Sequence, residues 1–73
     1  PLAELVDVDK ERERLSKEVQ RLISEINRAR AKLDNRGFVE KAPATVVEAE
    51  REKAEKFGRM LDTVRERLEA LEG

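Results

Sequence analysis

Cysteine, histidine, tryptophan and tyrosine are missing from this 73-residue chain, which also carries only two Phe, three Gly and two Pro. Without His or Cys, no ordinary zinc, haem or iron–sulfur centre can form, nor a thiol nucleophile or a Ser-His-Asp triad. The lack of Cys also removes any disulfide staple, while leaving the redox compartment open. No stretch approaches the roughly 18 apolar residues that a membrane-crossing helix needs, so no membrane span is expected. The glycines, at 37, 58 and 73, are too scattered for a phosphate-cradling loop. The chain taken alone is therefore expected to do no chemistry and to hold no metal or cofactor.

What is present is charge of both signs. Lys and Arg number 16, Asp and Glu 17, and together they make up 45% of the chain against 38% hydrophobic residues. The length allows one domain with little bulky material to bury. Such a charge load implies either disorder or long solvated helices. The chain opens at Pro1 rather than at an initiator Met, and the expectation is a segment cut from a larger protein, or a processed chain.

The spacing of the apolar residues decides for helix. They fall at Leu5, Val8, Leu15, Val19, Leu22, Ile26, Ala29 and Leu33, with Arg12 filling the one gap. In the second half the series is Val47, Glu50, Ala54, Phe57, Leu61, Val64, Leu68 and Leu71. Both alternate steps of three and four, which is a heptad seam sustained over about four heptads. Between them, Asp34, Asn35 and Gly37 are poor helix formers, and Asn35 or Gly37 can take the left-handed conformation that ends a helix. Pro43 suits the first turn of a new helix and pushes Ala42 out of the helical region. Asp7 or Asp9 is a plausible N-cap. The expectation is a helix over about 8–34, a turn over about 35–42 and a helix over about 43–72. Asn35, Gly37, Phe38 and Pro43 are the turn-forming residues.

A connection of about eight residues makes the helices antiparallel. The predicted architecture is all-α, a two-helix coiled-coil hairpin filling 1–73. Folding about Phe38 sets Leu15 opposite Leu61, Val19 opposite Phe57, Leu22 opposite Ala54 and Ile26 opposite Glu50. It also brings Glu25 near Lys53, Glu11 near Arg67 and Asp9 near Arg65. Ser16 would meet Gly58, where the two backbones could come close. Arg12 is expected to pack its stem on the seam with its head in water. Glu50 is expected to bond polar groups near the tip.

The charges are arranged in stripes. Arg14, Arg21 and Arg28 recur every seven residues on helix 1, with Lys10 and Lys17 one turn away on the same outward face. Between residues 10 and 33 there are eight Lys/Arg and four Glu. Helix 2 carries the opposite row, Glu48, Glu55, Asp62 and Glu69. Over residues 28–41, Arg28, Arg30, Lys32, Arg36 and Lys41 outnumber Asp34 and Glu40 by three. A basic stripe on a rod suits a phosphate backbone, and it does not suit base reading because no aromatic platform accompanies it. The same pattern would also serve simply to solubilise a coiled coil. Phe38 and Val39 either fold back to cap the end of the hairpin or offer a contact at its tip.

The turn reads Leu33-Asp34-Asn35-Arg36-Gly37-Phe38-Val39-Glu40-Lys41-Ala42-Pro43-Ala44-Thr45-Val46-Val47-Glu48-Ala49-Glu50-Arg51. This closely resembles the hairpin turn in the C-terminal coiled coil of bacterial valyl-tRNA synthetases. That family carries an Asn, then Phe-Val, then Lys-Ala-Pro, then paired Val and an acidic-Arg pair. The opening segment, Pro1 to Asp9, looks like the family's lead-in, with Glu4 standing where a Gly would be expected. The resemblance implies the C-terminal arm of a cytoplasmic enzyme that joins valine to its tRNA using ATP and magnesium. The arm would hold the outer corner of the tRNA, where the D and T loops meet. Catalytic and editing motifs of the family lie outside this segment, so no catalytic residue carries over.

The implied partners are the valine-accepting tRNA and the catalytic body of the same chain. The candidate tRNA-binding residues are Lys10, Arg14, Lys17, Arg21, Arg28, Arg30, Lys32, Arg36 and Lys41. The competing expectation is a protein-interaction coiled coil, in which Ile23 and Met60 beside the seam extend the buried stripe toward another copy or another protein.

Overall fold

The computed structural model describes residues 2–72, with side chains described from Asp7 to Glu72. Helix α1 runs Leu2–Asp34, a short helix α2 runs Arg36–Lys41, and helix α3 runs Ala44–Glu72. The long helices α1 and α3 pack antiparallel. The molecule measures 58 × 15 × 14 Å, a slender rod.

Two boundaries differ from the sequence expectation. Helix α1 begins at Leu2 and passes through Asp7 and Asp9, so neither is an N-cap. The first residues keep the apolar spacing of the rest, and nothing in Leu2–Val8 breaks a helix. The connection is not an open turn either, since six of its residues form α2. Asn35 stands between the helices at φ −83°, ψ 105°, and its side chain accepts from the Phe38 N–H at 3.2 Å. It therefore caps the start of α2 rather than ending α1 in a left-handed turn. Among the described residues none has positive φ, Gly37 included.

Ala42 is extended at φ −73°, ψ 151°, as the residue before a proline should be. Its N–H closes α2 on the Phe38 carbonyl at 2.9 Å. The Pro43 carbonyl then accepts from the Val46 and Val47 N–H groups, opening α3. Proline loses nothing there, because the first N–H groups of a helix have no intrahelical partner.

The core is the expected seam. Leu15, Leu22, Ile26, Leu61 and Val64 form one buried cluster, with Val19, Ile23, Phe57, Met60, Leu68 and Leu71 packed against it. Leu15 and Leu22 are the most deeply buried large side chains. Each contributes roughly 1.5–3 kcal/mol by leaving water. Ala29, Val47 and Glu50 continue the buried stripe toward the tip. The Leu5 side chain lies outside the described residues. Phe38 and Val39 are half-buried, which agrees with a fold-back cap at the tip. Ile23 and Met60, the feature that suggested a second partner, are occupied by the hairpin's own core.

Two further expectations are corrected. The flanking carboxylates make their ion pairs along α1 rather than across the seam: Glu25 bonds Arg28, Glu11 bonds Arg14, and Asp9 bonds Arg12, although Arg67 does lie near Glu11 as expected. A partner three residues away costs less side-chain freedom than one across the seam. At Gly58, a Cβ would meet no atom within 4 Å. The glycine is therefore not required by a close approach of the backbones.

Candidate nucleic-acid interface

The arginine row of α1 is on one exposed stripe, as its seven-residue spacing requires. Each member is already engaged. Arg21 holds Glu18 at 2.5 Å, Arg28 holds Glu25 at 3.3 Å, and Arg14 holds Glu11. Lys17 pairs with Glu13 at 3.2 Å. All four glutamates between residues 10 and 33 are thereby used. The acid precedes the base along the helix, the orientation that the helix dipole favours.

The hydrogen bonds from Arg14 and Arg21 hold the Glu11 and Glu18 carboxyls below the usual carboxylate range, and both guanidiniums are pushed up in return. Arg21 also lies over the Phe57 ring, 5.9 Å from its centroid, a cation–π contact tying the row to α3. Arg12 is half-buried with its guanidinium on Asp9 at 3.0 Å.

The tip is different. Among the described residues Arg30, Arg36 and Lys41 are exposed and make no ion pair, while Lys32, also exposed, reaches across the seam. Its ammonium donates to Glu50 at 3.1 Å, and Lys53 approaches the same oxygen at 3.7 Å. Glu50 is only 9% exposed. The Lys32 hydrogen bond, opposed by burial, holds its carboxyl below the ordinary value. The expected bonding of Glu50 near the tip is thus made by Lys32 and Lys53. Of the nine candidate cations, four are neutralised by glutamates of α1 and Lys32 by Glu50. Arg30, Arg36 and Lys41 remain available at the end of the rod, and Lys10 is exposed near its base.

The cations of α3 are absent from the sequence-derived binding candidates, where Lys53, Arg65 and Arg67 figure only as partners of acids on α1. Lys56, Arg59 and Arg67 line a shallow groove on α3 and make no ion pair among the described residues. The signal was available, because Lys56, Met60, Thr63 and Arg67 fall at steps of four, three and four on one helix face beside the seam.

A slender antiparallel hairpin with paired charges along its shaft and unpaired cations at its tip is a helical reaching arm. Among the described residues no helix is long and apolar enough to cross a membrane. The chain belongs to the family described as the valyl tRNA synthetase tRNA binding arm, which it matches over residues 7–72. It is 59% identical over 71 residues to a valine–tRNA ligase of Clostridium acetobutylicum, covering 97% of this chain and 8% of that protein. It is 53% identical over 72 residues to the ligase of Clostridium perfringens, covering 99% of this chain and 8% of that one. Against the Bacillus subtilis ligase the identity is 42% over 73 residues, again 8% of the relative's length. The chain thus spans 8% of these relatives. No solved structure matches it.

Proposed function

We propose that this chain serves as the arm of a cytoplasmic valine–tRNA ligase and grips the outer corner of the valine-accepting tRNA through its phosphate backbone. The single observation that carries the choice of surface is that Arg36 and Lys41, on α2 at the turn end of the 58 Å rod, and Arg30, in the last turns of α1, are exposed and free of ion pairs among the described residues. Unpaired guanidinium and ammonium groups neutralise phosphate without first giving up a carboxylate partner. Arg14, Lys17, Arg21 and Arg28 act in a supporting role, since each must share its charge with a neighbouring glutamate. ATP and magnesium belong to the catalytic body of the parent enzyme. Contacts to backbone alone give little sequence preference. Tethering to that body raises the effective concentration of the arm, so weak contacts add to overall affinity.

The test uses the full ligase that carries this arm. Replacing Arg30, Arg36 and Lys41 by Glu is expected to weaken tRNA binding about tenfold or more at moderate salt. The dependence of affinity on salt should flatten by about three in log–log slope. Adenylate formation, which needs no tRNA, should be unaltered. Unchanged tRNA affinity would remove the tip from the binding surface.

A further inference from the structure

A shallow groove of about 350 Å³ runs along α3, lined by Lys56, Arg59, Met60, Thr63, Val64 and Arg67. Three of the six are cations, none is acidic, and none of the cations makes an ion pair among the described residues. The floor is apolar, with Val64 buried and Met60 half-buried against the core. The Thr63 hydroxyl donates back to the Arg59 carbonyl at 3.2 Å and so keeps to its own helix. A wider groove of about 470 Å³ on the hairpin contrasts with it, since Asp62 stands among its lining residues beside Arg30 and Arg65.

The α3 groove is continuous with the basic row of α1. Arg67, at its far end, lies close enough to Glu11 to help lower that carboxyl, and Glu11 is the partner of Arg14. Arg21, further along the row, covers Phe57, the residue after Lys56. The two helices therefore present one cationic flank, with the paired charges on α1 and the unpaired ones on α3. From Lys56 to Arg67 the helix rises about 16 Å, enough to follow several nucleotides at roughly 3.4 Å each.

We infer that this groove is a second phosphodiester site, in which Lys56, Arg59 and Arg67 neutralise the sugar–phosphate backbone of the RNA whose corner the tip holds. The inference rests on the tRNA-binding reading above and extends it from the tip to the shaft of α3. The occupant is a nucleic-acid backbone, because three of the six lining residues are cations and none is an acid. Three cations that make no ion pair among the described residues match an anionic strand.

The experiment compares three variants of the full ligase by titrating transcribed valine tRNA at several salt concentrations. The first changes Lys56, Arg59 and Arg67 to Gln. The second exchanges the same cations as Lys56→Arg, Arg59→Lys and Arg67→Lys. The third carries the tip reversals. The glutamine variant is expected to bind about 10- to 100-fold more weakly at low salt and to lose about three from the salt slope. The charge-conserving variant should keep most of the affinity. If the glutamine variant binds as the unaltered protein while the tip variant does not, the groove inference falls and the tip reading stands. If the groove variant alone loses affinity, the groove stands and the tip assignment falls. If neither loses affinity, both fall. A charge-conserving variant as weak as the glutamine one would make packing the cause and overturn the inference. Altered self-association with tRNA binding intact would do the same and assign the groove to protein contact.

Discussion

Lys32, in the last turn of α1, donates a 3.1 Å hydrogen bond to Glu50, a nearly buried carboxylate on the opposing helix. This is the one polar contact that crosses the seam among the described hydrogen bonds. Its second oxygen is buried without a hydrogen-bond partner, which makes the pair directional: the carboxylate is held by the oxygen that faces Lys32 and Lys53. A polar pair at one layer of an otherwise apolar seam specifies how the helices align. In this rod it sits close to α2, where a slip would misplace the tip.

Removing one member of that pair should hurt more than removing both. Lys32→Met leaves Glu50 buried with only the longer Lys53 contact, and the thermal midpoint should fall by several degrees. Lys32→Met combined with Glu50→Leu should recover most of the loss, because no charge is then stranded in the seam. Circular dichroism melts of the two variants check this. A double variant less stable than the single one would show that the pair is a net stabiliser.

Gly58 offers a test of the opposite sign. It lies inside α3 with open space where a Cβ would go, so Gly58→Ala meets no steric objection. The gain in helix propensity is about 1 kcal/mol, which for a chain of this size raises the midpoint by roughly 4–8 °C. A lowered midpoint would reveal that the arm needs local softness at that point.

Acid should loosen the rod. The folded-state carboxyls of Glu11, Glu18 and Glu50 lie below their ordinary value of 4.5. Their contribution is therefore complete above the unfolded value and disappears as pH falls through the lowered folded values. The melting midpoint should hold between pH 7 and pH 5 and drop below about 4.5. For the exposed pairs of Glu11 and Glu18, added salt should blunt the effect. Melts across that range, with and without salt, provide the check, and a higher midpoint at pH 3 than at pH 7 would contradict the assignment.

Much of this was legible in the chain itself. Spacing of three and four is a local property of a helix surface, so Leu15, Leu22, Ile26, Leu61 and Val64 could be picked as core without a structure. Pro43 and Ala42 announced the start of the second long helix for equally local reasons. The motif around Phe38 and Pro43 carried the family resemblance. The six-residue helix α2 was hidden because Asn35 and Gly37 suit both an ending and a cap. Only the Asn35–Phe38 hydrogen bond distinguishes the two.

The sequence by itself determined that the chain is two long amphipathic helices folded back on each other, and that its surface is dense in charge. Tertiary structure alone decided what the seam does with those charges: Lys32 is drawn to Glu50 across it, and Arg21 is laid over Phe57. Arg14, Arg21 and Arg28 find glutamates one turn along α1, while Arg30, Arg36, Lys41, Lys56, Arg59 and Arg67 are exposed and make no ion pair among the described residues. The physical reason is that a heptad pattern places a residue on a face, whereas an ion pair depends on rotamers and on what the other helix brings within reach.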